Sequence, residues 1–111
     1  MEEIEELLQN HPSVHLGFEA TVGGGTPILH TIQEYYSTDE VKAIRGIING
    51  STNYILSKML LENVPYEDVY NEALRLGYLE SDPDFDIKGL DARSKLIILS
   101  RLAFGVYKMS E

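Results

Sequence analysis

Apolar residues recur at helical spacing along most of this chain. The pattern predicts five helices, the last beginning near Asp91 and the others at residues 2–10, 27–36, 54–63 and 66–76. Gly77 is expected to end the fourth helix as a left-handed cap. On the inner face of the third helix we expect Ile55, Leu56, Met59 and Leu60.

Two other segments show the pattern of β-strands. Apolar and polar residues alternate from Val14 to Val22, and Val41 to Ile48 is short and β-branched. Each segment is followed by a helix, which predicts an α+β fold with helices packed on a small sheet. Two strands are few for a stable sheet. We therefore expect another copy of the chain, or a further part of a longer protein, to complete it.

Length, charge and cysteine content narrow the class of protein. With 111 residues, 43% of them hydrophobic, the chain suits one globular domain with a modest core. A formal net charge of -9 argues against nucleic acid and membrane surfaces as partners. The absence of cysteine excludes disulfides and thiolate chemistry. Because we find no signal peptide and no membrane-spanning run of apolar residues, we expect a cytoplasmic location.

A glycine-rich loop, Gly23 to Pro27, joins the first predicted strand to the helix after it. Amides at the start of that helix could face a phosphate. The loop lacks both the spacing of the dinucleotide fingerprint and the lysine of a P-loop. A tight turn is the interpretation that we favour.

An acidic segment leads into the last helix, which carries Asp91 and Lys95 one turn apart, so that the two side chains share a face and can pair. Burial would favour the uncharged form of Lys95, whereas Asp91 and Glu80 would favour its charged form. The proton of this lysine would then be exchangeable with a reacting oxygen. The alternative is an ordinary surface ion pair. Acidic residues stand at every second position of the segment, namely Glu80, Asp82, Asp84 and Asp86.

The same acidic segment invites comparison with a calcium-binding loop. Its three aspartates imitate the first ligand positions, but Ile87 and Arg93 stand where an EF-hand requires glycine and glutamate. Pro83 also stiffens the turn. We therefore reject an EF-hand, and a looser cation site or a solvated acidic turn remain as alternatives.

Three segments carry a family resemblance, in the same order and at similar spacing. They are FEATVGGGTPI at 18–28, IRGIINGSTNYILSKM at 44–59 and LGYLESDPDFDIKGLDARSKLIILSRLAFG at 76–105. Together they resemble the substrate-binding, catalytic domain of homoserine dehydrogenase. The resemblance implies that residues 1–11 match the last helix of a missing cofactor domain. Residues 12–105 would then form the substrate-binding and dimerisation domain.

The resemblance also implies an activity. The family comprises NAD(P)-dependent oxidoreductases that interconvert aspartate semialdehyde and homoserine in threonine and methionine biosynthesis. The lysine that matches Lys95 exchanges a proton with the substrate oxygen in the family. The residues that match Glu80 and Asp91 are substrate ligands there, and those that match Tyr78 and Asp86 line the same pocket.

Further expectations concern bound groups and assembly. The resemblance implies a monovalent cation such as Na⁺ on Glu19 and on the backbone carbonyls of Val22, Gly24 and Thr26. It places the turn at residues 51–52, Ser51 and Thr52, near the nicotinamide and the substrate. We expect NAD(P) to be held mainly by a domain absent from this chain, a homo-oligomer, and no turnover by the chain alone. The alternative function is a non-catalytic small-molecule-binding or assembly domain.

Overall fold

Helices and extended segments make up the part of the chain that the computed structural model describes, residues 2–36, 38–79 and 82–105. Within those residues, the structure contains a short 3-10 helix at Glu19–Thr21 and no strand. The α-helices are α1 (Glu2–Asn10), α2 (Ile28–Tyr35), α3 (Gly50–Glu62), α4 (Tyr66–Leu76), α5 (Pro83–Ile87) and α6 (Leu90–Phe104).

The predicted α+β fold with its small sheet is therefore wrong for the described residues. The segment from Val14 to Val22 runs into the 3-10 helix, and Val41 to Ile48 forms neither a helix nor a strand. The alternation of apolar and polar residues did not predict burial correctly either, because Val14 and Leu16 are about half exposed. A strand needs a neighbouring strand that accepts its backbone hydrogen bonds. Among the described residues, the amides of Val14, Thr21 and Val22 donate instead to carbonyls three positions earlier in the chain.

The core consists of two separate clusters. In the first, α2 and α6 pack together around the four buried residues Val22, Leu29, Ile32 and Leu99. In the second, α3 and α4 form a hairpin around the four buried residues Ile55, Val69, Ala73 and Leu79. Gly77 ends α4 in the left-handed conformation at φ 76°, which confirms the predicted cap.

Only part of the predicted inner face of α3 is buried. Ile55 is 3% exposed and packs against α4, whereas Leu56 is 49% exposed and Leu60 is 82% exposed. The predicted inward position of the two leucines is therefore wrong. An α-helix that packs against one neighbour buries a narrow stripe, and α3 meets α4 along one such side.

The acidic segment contains a helix that sequence analysis did not predict. Pro83 begins α5 and the Asp82 carboxylate accepts a hydrogen bond from the Asp84 amide, so proline and N-cap act together. Although α5 is short, it contacts both α3 and α6. It therefore connects the two core clusters, and the polar residues Asn49, Ser51 and Asp86 lie at this junction.

The longest helix, α6, has 15 residues and begins after Gly89, which has a positive φ of 74°. Leu99 is its buried residue, while Leu96 and Phe104 are more than a third exposed. Across the ranges 2–36, 38–79 and 82–105, no helix has the length and apolar character that crossing a membrane requires.

Candidate functional site

The predicted pair on α6 forms in the structure. The Lys95 Nζ donates to the Asp91 Oδ2 at 2.7 Å, and the side chains keep 25% and 22% of their exposure. The pair is thus neither in a dry core nor on an open surface. Burial raises the pKa of Asp91, but hydrogen bonds from Lys95 and Asn49 and the lysine charge outweigh it and lower that pKa.

A buried amide joins this pair to α5. Asn49 and Asp86 are each 6% exposed. The Asn49 Nδ2 donates to the Asp86 Oδ1 and to the Asp91 Oδ2, both at 2.8 Å. The Asn49 Oδ1 accepts from the Thr52 amide at 2.8 Å, so the same side chain caps the start of α3.

Ser51 extends the cluster towards Tyr78. Its hydroxyl lies 2.9 Å from the Asp86 Oδ2 and 2.6 Å from the backbone carbonyl of Tyr78, and its single proton can serve one acceptor at a time. The ring of Tyr78 is half exposed and stacks on Tyr54 at a centroid distance of 4.5 Å. The start of α3 is thereby tied to the segment after α4.

The structure brings together most of the residues predicted for the substrate site. Asp86, Asp91 and Lys95 share one hydrogen-bonded cluster, which Tyr78 joins through its carbonyl. Ser51, which was predicted to lie near the cofactor, belongs to the same cluster. Glu80, the remaining predicted substrate ligand, lies outside the described residues. Sequence analysis missed Asn49 as a member of the cluster. Its position before Gly-Ser-Thr at a helix start was a capping signal only.

The cluster offers complementary chemistry to a small polar molecule. Its two carboxylates can accept hydrogen bonds from an ammonium group. Lys95 is a donor of three hydrogens, and Asp91 is its acceptor among the described residues. An oxygen placed beside Lys95 can therefore receive a hydrogen bond or exchange a proton.

Glu19 acts on α2 in a way that the sequence did not indicate. Its Oε1 accepts from the Leu29 amide at 3.0 Å, and its Oε2 accepts from the His30 amide at 2.7 Å. A carboxylate of the chain itself thus occupies the start of this helix, where a phosphate would bind. The amide of Thr26 donates to the Gly23 carbonyl at 3.0 Å, as in a tight turn. This geometry favours the turn interpretation of the glycine loop.

The residues predicted for a monovalent cation fit it only in part. The Glu19 carboxylate already accepts two amides, and the Thr26 carbonyl accepts from the Ile28 amide at 2.8 Å. Val22 and Gly24 lie in the same turn. Among the described residues, no three His, Cys, Asp or Glu side chains gather into a metal-binding group. A cation here would share Glu19 with α2.

The two residues predicted to lie near the cofactor are both at the start of α3. Ser51 and Thr52 form the first turn of α3, beside Asp86 and Asn49. The Thr52 hydroxyl lies 3.3 Å from the Asn49 carbonyl, a long hydrogen bond. The two hydroxyls do not form the glycine-rich cradle that binds the phosphates of a dinucleotide.

Comparison with known proteins gives a consistent result. The family model described as homoserine dehydrogenase matches residues 27–110. The chain is similar to homoserine dehydrogenase of Bacillus subtilis, with 52% identity over 89 residues that make up 80% of this chain and 21% of the relative. It is 43% identical over 104 residues to the enzyme of Helicobacter pylori, covering 94% of this chain and 24% of the relative. The chain therefore spans about a fifth to a quarter of these relatives.

Solved structures agree with the sequence comparison. A homoserine dehydrogenase from Thiobacillus denitrificans matches with a TM-score of 0.88 and 45% identity over 96% of this chain and 25% of that one. A hyperthermophilic archaeal homoserine dehydrogenase in complex with NADPH matches with a TM-score of 0.83 and 38% identity. That match covers 94% of this chain and 32% of the archaeal one. The arrangement of helices is therefore shared with these enzymes.

Proposed function

This chain belongs to the homoserine dehydrogenase family, and from that premise we propose that it forms the substrate-binding part of an NAD(P)-dependent oxidoreductase. The proposed reaction interconverts homoserine and aspartate semialdehyde. The observation that carries the proposal is the hydrogen bond from Lys95 to Asp91 within a cluster that also contains Asp86. An ammonium group that one carboxylate holds in place and that keeps a quarter of its side-chain exposure can reach a substrate oxygen and exchange a proton with it.

Substrate recognition follows from the charges of the cluster. Homoserine carries an ammonium group, and Asp86 and Asp91 are carboxylates with oxygen lone pairs beyond those used in the cluster. We assign the ammonium of the substrate to this acidic side, with Glu80 as a third proposed ligand. The half-exposed ring of Tyr78 forms one wall. The substrate oxygen then faces Lys95.

Lys95 moves the proton in this proposal. When homoserine is oxidised, its hydroxyl proton passes to the uncharged amine of Lys95 as the carbon–oxygen double bond forms. In the reverse direction the ammonium returns a proton to the carbonyl oxygen. Asp91 orients the Lys95 side chain through their hydrogen bond of 2.7 Å. When bound, the nicotinamide accepts or supplies the hydride.

The remaining parts of the proposal concern groups beyond the cluster. Ser51 and Thr52 would contact the nicotinamide end of the cofactor, whose main binding site would lie in a domain outside this chain. Glu19 and the carbonyls of Val22, Gly24 and Thr26 would hold a monovalent cation while Glu19 caps α2. We also propose a homo-oligomer, because exposed apolar side chains such as Leu60 form a surface that a second copy of the chain could bury.

The test is turnover in the complete enzyme that contains this chain. Lys95→Ala should lower kcat by roughly 100-fold or more, because the proton-transfer group is lost. Lys88→Ala is the matched control, since Lys88 pairs with Asp84 at the same spacing but is 65% exposed. Full activity of the Lys95 variant, measured as NAD(P)H formation from homoserine, would contradict the proposal.

A further inference from the structure

Asn49 occupies an unusual position between two acids. Its Nδ2 has two hydrogens, and each is donated to a different carboxylate, one from Asp86 and one from Asp91. The side chain is 6% exposed, so water does not readily replace it. Its carbonyl oxygen is held by the Thr52 amide at 2.8 Å. Every hydrogen-bonding atom of the amide has a protein partner.

The partners fix the orientation of this amide. In the opposite orientation, the carbonyl oxygen would face two carboxylates and the NH₂ group would face the Thr52 amide. Both contacts would be repulsive. Asn49 is thus locked by the first turn of α3 on one side and by α5 and α6 on the other.

The two carboxylates need such a donor between them. Like charges that share a site disfavour ionisation, and one of the two acids then tends to keep a proton. A protonated Asp91 would lose its charge attraction for Lys95. Asn49 and Lys95 both donate to the Oδ2 of Asp91. By holding this oxygen in place, the Asn49 amide also fixes the position of the acceptor to which Lys95 bonds.

We infer that Asn49 is a positioning residue that holds Asp86 and Asp91 through its two donated hydrogen bonds and so sets the place of the Lys95 ammonium. It acts through Asp91 and has no contact with the reacting atoms. Its effect on catalysis rests on the proposed function, whereas its effect on Asp91 does not. The arrangement links the fold to the reaction, because one side chain caps α3 and orders the acidic cluster.

The first experiment measures the titration of Asp91 by carboxyl-carbon NMR in this chain. Asn49→Ser keeps an oxygen that can cap α3 but removes both donors to the carboxylates. It should raise the pKa of Asp91 by about 1. Asn53→Ser is the matched control, an exposed asparagine on the same helix, and should leave that pKa unchanged.

A second variant keeps the test decisive if Asn49→Ser does not fold. Asn49→Asp preserves the shape and the capping oxygen, and puts a third carboxylate beside Asp86 and Asp91. It should raise the pKa of Asp91 further than the serine variant does. An unchanged Asp91 titration in whichever of these variants folds would reduce Asn49 to a helix cap and overturn the inference.

The second experiment measures turnover in the complete enzyme. Asn49→Ser should lower kcat by roughly 10- to 100-fold, the range for residues that orient a reacting group, and should move the pH profile of kcat. Asn53→Ser should match wild type. Wild-type kcat and pH profile in Asn49→Ser would overturn the role in catalysis. The NMR experiment needs neither substrate nor cofactor, so it retains its meaning if the proposed reaction is wrong.

Discussion

Lys95 donates to Asp91 across one turn of α6, with 2.7 Å between the Nζ and the Oδ2. The pair lies in the first turns of α6, where α5 packs against this helix and Asn49, the N-cap of α3, donates to Asp91. A pair of the same spacing, Lys88 with Asp84, lies on the open surface. Position in the fold, and not spacing, therefore distinguishes the candidate site from an ordinary ion pair.

Asp91 should make the stability of the chain depend on pH in the acidic range. Its pKa lies below the ordinary 3.8 because hydrogen bonds from Lys95 and Asn49 and the lysine charge outweigh burial. The contribution of the charged Asp91 to the free energy of unfolding is therefore complete above pH 3.8, the ordinary pKa. It is lost as the pH falls through the lower pKa that Asp91 has in the folded chain. Asp91→Asn should lower the free energy of unfolding near neutral pH by about 1 kcal/mol.

Urea unfolding at neutral and at acidic pH measures this dependence. The difference between wild type and Asp91→Asn should shrink below the ordinary pKa of the carboxyl group. Asp84→Asn, which alters the exposed pair, should show a smaller difference at neutral pH. An Asp91 effect that is the same at both pH values would count against a charged Asp91 in the folded chain.

Lys58 and Glu72 should hold the α3–α4 hairpin together. The Lys58 Nζ lies 2.6 Å and 2.8 Å from the two carboxylate oxygens, and this hydrogen bond raises the pKa of Lys58 to about 12. The same contact lowers the pKa of Glu72. The contribution of Lys58 to the free energy of unfolding is thus complete below pH 10.5 and is lost as the pH rises through about 12. The contribution of Glu72 is lost in acid, because its pKa is lowered in the folded chain.

Thermal unfolding followed by circular dichroism tests the hairpin contact. Lys58→Met should lower Tm at neutral pH, because α3 loses its polar contact with α4 beside the buried Val69 and Ala73. Lys88→Met is the control and should leave Tm nearly unchanged, since Lys88 is exposed. Equal Tm values for the two variants would show that the contact adds no stability.

Glu19 should stabilise α2 whether or not a cation binds. Glu19→Ala removes the acceptor of the Leu29 and His30 amides, and should cost about 1 kcal/mol of unfolding free energy. Glu6→Ala, an exposed change on α1, should cost less. Chemical denaturation of both variants measures this difference, and equal costs would contradict the capping role.

The cation hypothesis has a separate test. Sodium chloride should raise the Tm of the wild-type chain above the value in choline chloride of equal ionic strength, because a specific site favours the small ion. The same comparison in Glu19→Ala should show no difference. If wild type also has the same Tm in the two salts, the assignment of Glu19, Val22, Gly24 and Thr26 to a cation site is wrong. Glu19 would then serve only as the cap of α2.

The predicted helices and the Asp91–Lys95 pair depend on local spacing, which a sequence displays directly. Helix periodicity located α2, α4 and α6 closely, although α3 begins at Gly50, earlier than predicted. The sheet was wrong because alternation at residues 14–22 says nothing about whether a neighbouring strand exists. Residues 41–48 show the same difficulty, since an extended β-branched segment can lie against helices without pairing.

Contacts between distant residues explain what the sequence could not indicate. Asn49 bonds to residues 37 and 42 positions further along the chain, and Glu19 bonds to α2 across 10 and 11 positions. Capping rules identified Asn49 as part of a turn but not as the bridge between Asp86 and Asp91. They also did not indicate that the Glu19 carboxylate accepts the amides at the start of α2.

Homoserine binding to this chain tests the central claim most directly. An NMR titration should show saturable shifts of the amides around Tyr78, Asp86 and Asp91, because these residues belong to one hydrogen-bonded cluster. Glu80→Gln is the variant that should abolish these shifts, since we propose Glu80 as a ligand of the substrate ammonium. A well-folded chain whose spectrum does not change with homoserine would contradict the claim that these residues form the substrate site.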